Sequence, residues 1–145
     1  MKTVALDLGD QWIGIAISDA LGMFARPYGT TTPKELENFL TKLFAEQAIA
    51  KVIIGYPKTM RGTISDQTKK VENEKNRLEK IFPTITWILW DERLSSKRAN
   101  TLKQAKTKSD KVKSHSIAAA FILSSYLDFS AHMPTILNHG DDETE

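Results

Sequence analysis

The 145-residue sequence predicts an α/β domain: a mixed five-stranded sheet, three antiparallel strands followed by parallel ones, flanked by helices. Two observations predict it. Three strand-like segments precede the first helical pattern, and from there helical patterns alternate with short apolar runs. Two of the apolar runs stop at acids, Asp7 and Asp91-Glu92, as expected where ligands meet the carboxyl edge of an open sheet.

Lys2 to Asp7 (KTVALD) and Trp12 to Ser18 (WIGIAIS) are apolar runs joined by a short turn containing Gly9, the pattern of a β-hairpin. Phe24 to Thr32 is more polar and reads as a third strand near an edge. Thr32 is placed to cap the first helix and Pro33 suits its first position, where a missing N–H costs nothing. Leu36, Phe39, Leu40 and Leu43 follow at helical spacing. Lys51 to Tyr56 (KVIIGY) is a continuous apolar run, as in a buried parallel strand. Ser65 caps the next helix, with Val71, Leu78 and Ile81 inward, and Pro83 ends it. Thr86 to Trp90 (TWILW) is the fifth strand. Ser95 or Ser96 caps a helix reaching about Lys106, a Lys/Ser/Thr loop follows, and Ser114 to Leu127 forms an apolar last helix rich in small residues. Right-handed crossovers bring the carboxyl ends of the first, fourth and fifth strands to one edge.

The length fits one domain, expected over residues 1–129, with an acidic, partly ordered tail over 130–145. Hydrophobic residues make up 41% and charged residues 26%, ordinary for a globular protein. The absence of cysteine excludes disulfides and thiolate metal centres and fits a reducing compartment. The amino terminus lacks a secretory signal, and no apolar stretch approaches the roughly 20 residues of a membrane span. A cytoplasmic protein without membrane contact is expected. Net charge is +2, but the last five residues hold four acids; without them residues 1–140 carry +6. Seven bases against one acid between Lys97 and Lys113 form either a phosphate-facing stripe or a solvated helix face.

Three segments carry chemistry. Asp7 closes the first strand, where a carboxylate must be paired, hydrogen-bonded or metal-bound. Gly9 allows a tight turn beside it, and Gly14 allows close approach of a ligand. Asp7 alone also reads as a turn acid accepting backbone N–H bonds. Asp91-Glu92-Arg93 brings a second carboxylate to a neighbouring strand end; alternation leaves open whether Asp91 or Glu92 points inward. Converging oxygens suit Mg²⁺ and phosphodiester hydrolysis, and Arg93 suits a phosphate. A salt-bridged loop starting a helix is the other reading. Gly55 to Thr63 (GYPKTMRGT) offers Lys58 and Arg61 in a strand-to-helix connection, either a phosphate-contacting turn or an ordinary link.

In this order and spacing, Asp7-Leu8-Gly9 with Ile13-Gly14-Ile15-Ala16 and Ser18-Asp19, Gly55-Tyr56-Pro57 with Gly62-Thr63, Asp91-Glu92-Arg93-Leu94-Ser95, and Ala118 to Leu123 with Tyr126-Leu127 resemble the YqgF family. The family is also called RuvX, is Holliday junction resolvase-like, and is proposed to process pre-16S ribosomal RNA. The resemblance covers Met1 to Leu127. It implies an RNase H-like fold, a nuclease dependent on Mg²⁺ or Mn²⁺, and a role in ribosome maturation that includes contact with ribosomal particles. Asp7 and Glu92 become the metal-binding acids. Arg93, Lys58, Arg61 and Lys113 are the candidate substrate contacts.

Two positions depart from the family. An Asp usually opens its last helix as a third carboxylate, and here His115 stands there. Imidazole binds Mn²⁺ or moves a proton but is a poor Mg²⁺ ligand. His115 is therefore a candidate catalytic residue, against the alternative of an exposed histidine at a helix start; Asp110, in the preceding loop, is a less well spaced substitute. Gln11-Trp12 replaces a basic pair beside the first acid, leaving Trp12 to stack on a base or to pack. The expected substrate is structured nucleic acid, with the 5′ end of pre-16S rRNA favoured. Holliday junction cleavage on DNA, which needs a symmetric dimer, and a non-catalytic ribosome-assembly factor are the alternatives. The protein is expected as a monomer or a homodimer.

Overall fold

The computed structural model describes residues 1–56, 66–91 and 108–131. Five strands, β1 (Lys2–Leu8), β2 (Ile13–Ser18), β3 (Ala25–Thr31), β4 (Ile49–Tyr56) and β5 (Thr86–Asp91), form one sheet in the order β3-β2-β1-β4-β5. β1, β2 and β3 are antiparallel neighbours, and β1, β4 and β5 are parallel. The expected mixed sheet is therefore present. β3 lies at an edge, which is where a strand can hold Pro27 and step its register opposite Ile15-Ala16.

The helices are α1 (Leu36–Glu46), α2 (Asp66–Ile81) and α3 (Lys108–Ala131). Side-chain alternation divides the sheet into two unlike faces. One presents Val4, Leu6, Ile15, Ile17, Val52 and Ile54 to Leu36, Leu40 and Leu43 of α1 and to Val71 and Leu78 of α2. Each such aliphatic side chain contributes about 1.5–3 kcal/mol by leaving water. The other face presents Ala5, Ala16 and Ile53 to Ala119, Ala120, Ile122 and Leu123 of α3. Small residues on both partners let α3 lie close to the strands.

Four expectations need correction. α1 starts at Leu36, not at Pro33: the Glu35 N–H bonds the Thr32 carbonyl at 3.1 Å, closing a turn first, and Glu35 caps without a side-chain bond. The segment expected as a loop before the last helix is helical from Lys108, since nothing from Lys108 to Lys113 breaks a helix and Asp110 falls in a first turn, where an acid is favoured. That helix also continues to Ala131, past its expected end at Leu127. Ile81, expected inward on α2, is 38% exposed, while Val71 and Leu78 are buried as expected. The helix expected between Ser95 and Lys106 lies outside the described residues.

The β2–β3 connection is held by Asp19. Its Oδ1 accepts the backbone N–H groups of Met23 at 2.8 Å and Phe24 at 3.0 Å, and Gly22 supplies the left-handed residue with φ 70°.

Candidate active site

Asp7 stands on β1 directly opposite Gly14 of β2. Alternation with Ala5 turns its side chain to the α3 face, and it is fully buried. A carboxylate at that depth requires a cation or hydrogen-bond donors to remain ionised cheaply.

α3 brings the second group. His115 Nδ1 lies 3.8 Å from Asp7 Oδ2, with side-chain exposures of 21% and 1%. The gap is too wide for a hydrogen bond, and Nδ1 is buried with no hydrogen-bond partner among the described residues. His115 is not at a helix start; it sits about two turns inside α3, pressed toward the acid.

Gly14 makes this possible. A Cβ there would collide with the carbonyl carbon and oxygen of His115 and reach 2.7 Å from the Ser116 nitrogen. The close approach that Gly14 serves is thus to the backbone of α3, where the sequence suggested a ligand. Gly9 serves the turn as expected: a Cβ would stand 2.6 Å from the Trp12 carbonyl oxygen and 3.6 Å from His115 Cε1. Both glycines flank the Asp7–His115 pair.

The other expected residues divide. Glu92, Arg93, Lys58 and Arg61 lie outside the described residues. Lys113 is exposed, and two helical positions put it about 200° around α3 from His115, so it does not join the pair. Asp91 ends β5 with the parity of Trp87 and Leu89, which pack on the α1/α2 face; it is turned away from Asp7's face. Trp90 shares that face: its indole N–H donates to Ser125 Oγ at 2.7 Å, and its ring meets Tyr126 edge-on at 5.3 Å. Tyr56, expected beside a phosphate turn, is 9% exposed in the core. Burial and then the Glu72 carboxylate, to which the hydroxyl hydrogen-bonds, raise its pKa above the usual 10.0.

Sequence reasoning missed that the backbone of α3 is what Gly14 accommodates. A glycine two residues from Ala16 on a strand facing an Ala-rich helix was the available signal.

Among the described residues no three His, Cys, Asp or Glu side chains cluster as a metal cage. Asp7 and His115 supply one oxygen and one nitrogen donor. That pair fits part of a divalent-cation site and requires at least one further protein donor.

A family model described as "RuvX: Holliday junction resolvase" matches residues 1–129. Proteins named "Putative pre-16S rRNA nuclease" are similar along most of the chain. That of Rubrobacter xylanophilus is 33% identical over 128 residues, covering 88% of this chain and 92% of its own length. That of Oceanobacillus iheyensis is 40% identical over 138 residues, covering 88% and 98%. Among solved structures, Thermus thermophilus RuvC in complex with a Holliday junction substrate superposes with a TM-score of 0.53 at 13% identity, covering 89% of this chain and 96% of that one. This last likeness bears on the fold alone and is to an RNase H-like resolvase. With the family match spanning both the Asp7 strand and the His115 helix, the chain belongs to the RuvX family.

Proposed function

We propose that this chain is a metal-dependent nuclease that hydrolyses phosphodiester bonds in structured RNA, acting on the 5′ end of pre-16S rRNA during ribosome maturation in the cytoplasm. One observation carries the chemistry: a fully buried carboxylate near the carboxyl end of β1, with an imidazole nitrogen 3.8 Å away. The relatives' names support the substrate.

Asp7 and His115 would hold the cation together with Glu92. Support for Glu92 over Asp91 is that Asp91 shares the parity of Trp87 and Leu89, which pack on the face away from Asp7. A bound Mg²⁺ or Mn²⁺ would supply an activated water and offset charge building on the phosphate. The chain's own residues do the rest. The α3 backbone over Gly14 keeps water from the inner side of the pair. Lys58, Arg61, Arg93 and Lys113 bind substrate phosphates. Hydrolysis joins the water oxygen to phosphorus as the bond to the leaving ribose oxygen breaks. The family match over residues 1–129 supports taking that span as the nuclease unit. Trimming an RNA end needs one such site, so a monomer suffices.

The family description also names Holliday junctions, and cutting a junction symmetrically would need a homodimer. Purified protein is therefore incubated with labelled precursor RNA and with a four-way DNA junction, each with Mg²⁺ and with Mn²⁺. RNA cleavage is expected to fall on the order of 10²–10³-fold in Asp7→Asn and in Glu92→Gln, the scale of losing one charge-stabilising group. Cleavage that survives both substitutions removes the assignment. Preference for the junction replaces RNA by DNA. Salt-sensitive binding without any cleavage would mark an assembly factor.

A further inference from the structure

We infer that Trp12 stacks on a nucleobase of the bound strand, next to the phosphate held at Asp7; this rests on the nuclease reading. The three tryptophans of the chain are not alike. Trp87 is buried, its indole N–H donates to the Phe82 carbonyl at 3.2 Å, and its ring meets those of Phe44 and Phe82. Trp90 donates to Ser125 and meets the rings of Tyr126 and Phe129. Trp12 is half-buried. Among the described residues it joins neither core, no aromatic ring pairs with it, and its N–H has no acceptor. A tryptophan that packs inside a fold buries a large apolar area and finds a partner for its N–H. Trp12 does neither.

Position names the ligand. Gly9 lies between this tryptophan and the candidate catalytic pair. The point its missing Cβ would occupy is 2.6 Å from the Trp12 carbonyl oxygen and 3.6 Å from His115 Cε1, and His115 faces Asp7 at 3.8 Å. A strand held by one phosphate at that pair therefore runs beside the turn that carries Trp12. The turn, Gly9-Asp10-Gln11-Trp12, offers the strand no cation of its own. Its charged group is the Asp10 carboxylate, mostly exposed and paired with Lys70 at 3.9 Å, a pair worth little in water.

The turn thus gives a phosphate no attraction, and what it can present to a passing strand is an indole face. Every base has a π-face to meet it, so the contact needs no particular sequence. The partner is the base of the nucleotide adjoining the phosphate at Asp7.

The test measures fluorescence anisotropy of a labelled single-stranded RNA on the full chain carrying Asp7→Asn, so that the RNA survives. Adding Trp12→Ala should weaken binding about fivefold or more, the scale of one lost base–aromatic stack. The salt slope should stay as it is, because no phosphate contact is lost. Trp12→Phe keeps a ring and should lose less; equal loss in both variants overturns the stack. Abasic substitutions scanned along the RNA then locate the base. At one position, removing the base should weaken binding to the parent chain and leave Trp12→Ala binding unchanged, since both changes delete the same contact. Losses that add at every position overturn the inference. Urea denaturation separates stacking from packing. A Trp12→Ala chain that is destabilised, yet binds RNA like its parent once folded, makes Trp12 a packing residue and also overturns it. Wild-type cleavage with Trp12-independent binding removes the stack and leaves the nuclease. Trp12-dependent, abasic-sensitive binding by a wild-type chain that never cleaves does the reverse.

Discussion

At the scale of single residues, two glycines separate two kinds of constraint. Gly14 has no room: an added Cβ would overlap the His115 carbonyl and crowd the Ser116 nitrogen. Those atoms are helix backbone and cannot rotate away, so α3 itself would have to move. Overpacking of a tight interior costs about 1–3 kcal/mol, and backbone contact belongs at the upper end. Gly22 has nothing within 4 Å of its missing Cβ but a φ of +70°, a conformation costing a side-chain-bearing residue about 1–2 kcal/mol. Urea denaturation should show Gly14→Ala losing at least about 2 kcal/mol, and cleavage should fall with it because His115 is displaced. Gly22→Ala should lose about 1 kcal/mol and keep its activity. A Gly14→Ala protein as stable as wild type would mean α3 does not lie on β2 as described.

At the scale of elements, strands were the most legible. Lys2–Asp7, Trp12–Ser18, Phe24–Thr32 and Thr86–Trp90 all recur within a residue or two, because alternation and glycine punctuation are local signals. Helix starts were less so. Thr32-Pro33 carries a strong local start signal, yet the chain first closes a turn as it leaves β3. Lys108 to Lys113 carries little beyond the first-turn acid Asp110, yet is helical because α3 as a whole packs on the sheet. Asp7 was legible as an acid at a strand end. Its pairing with His115 was not, since it depends on a backbone approach between positions about a hundred residues apart. Ser18-Asp19, read only as part of a family pattern, proves to be a turn device. The Phe24 N–H above all, with Met23, holds the Asp19 carboxyl below its usual 3.8, against a smaller opposing effect of burial. The sign follows from that depression: Asp19 stabilises the fold fully above its unfolded pKa, and the contribution disappears as pH falls through the lower, folded value. The melting-temperature difference between wild type and Asp19→Asn should therefore be constant above about pH 5 and shrink below pH 3.8. A difference that grows on acidification would contradict the turn assignment.

At the scale of the whole molecule, the two faces of the sheet have different tasks. The α1/α2 face holds most of the large apolar side chains and gives the domain its stability. The α3 face uses small residues, and its close approach sets His115 beside Asp7. The pair joins β1 to α3 across the molecule, so an ion held by both residues would stabilise the fold as a unit. Linkage fixes the size: an ion at 100 times its Kd adds about 2.7 kcal/mol if the unfolded chain does not bind it. Donor chemistry fixes the order. One imidazole nitrogen among carboxylate oxygens favours Mn²⁺ over Mg²⁺, which prefers oxygen and gives up water reluctantly. Thermal unfolding monitored against added metal should show a larger upward shift with Mn²⁺ than with Mg²⁺. Asp7→Asn should abolish the shift, and His115→Asp should narrow the preference by turning nitrogen into oxygen. An equal Mn²⁺ shift in wild type and Asp7→Asn would place any bound ion elsewhere, and the Asp7–His115 pair would then be a structural contact between strand and helix.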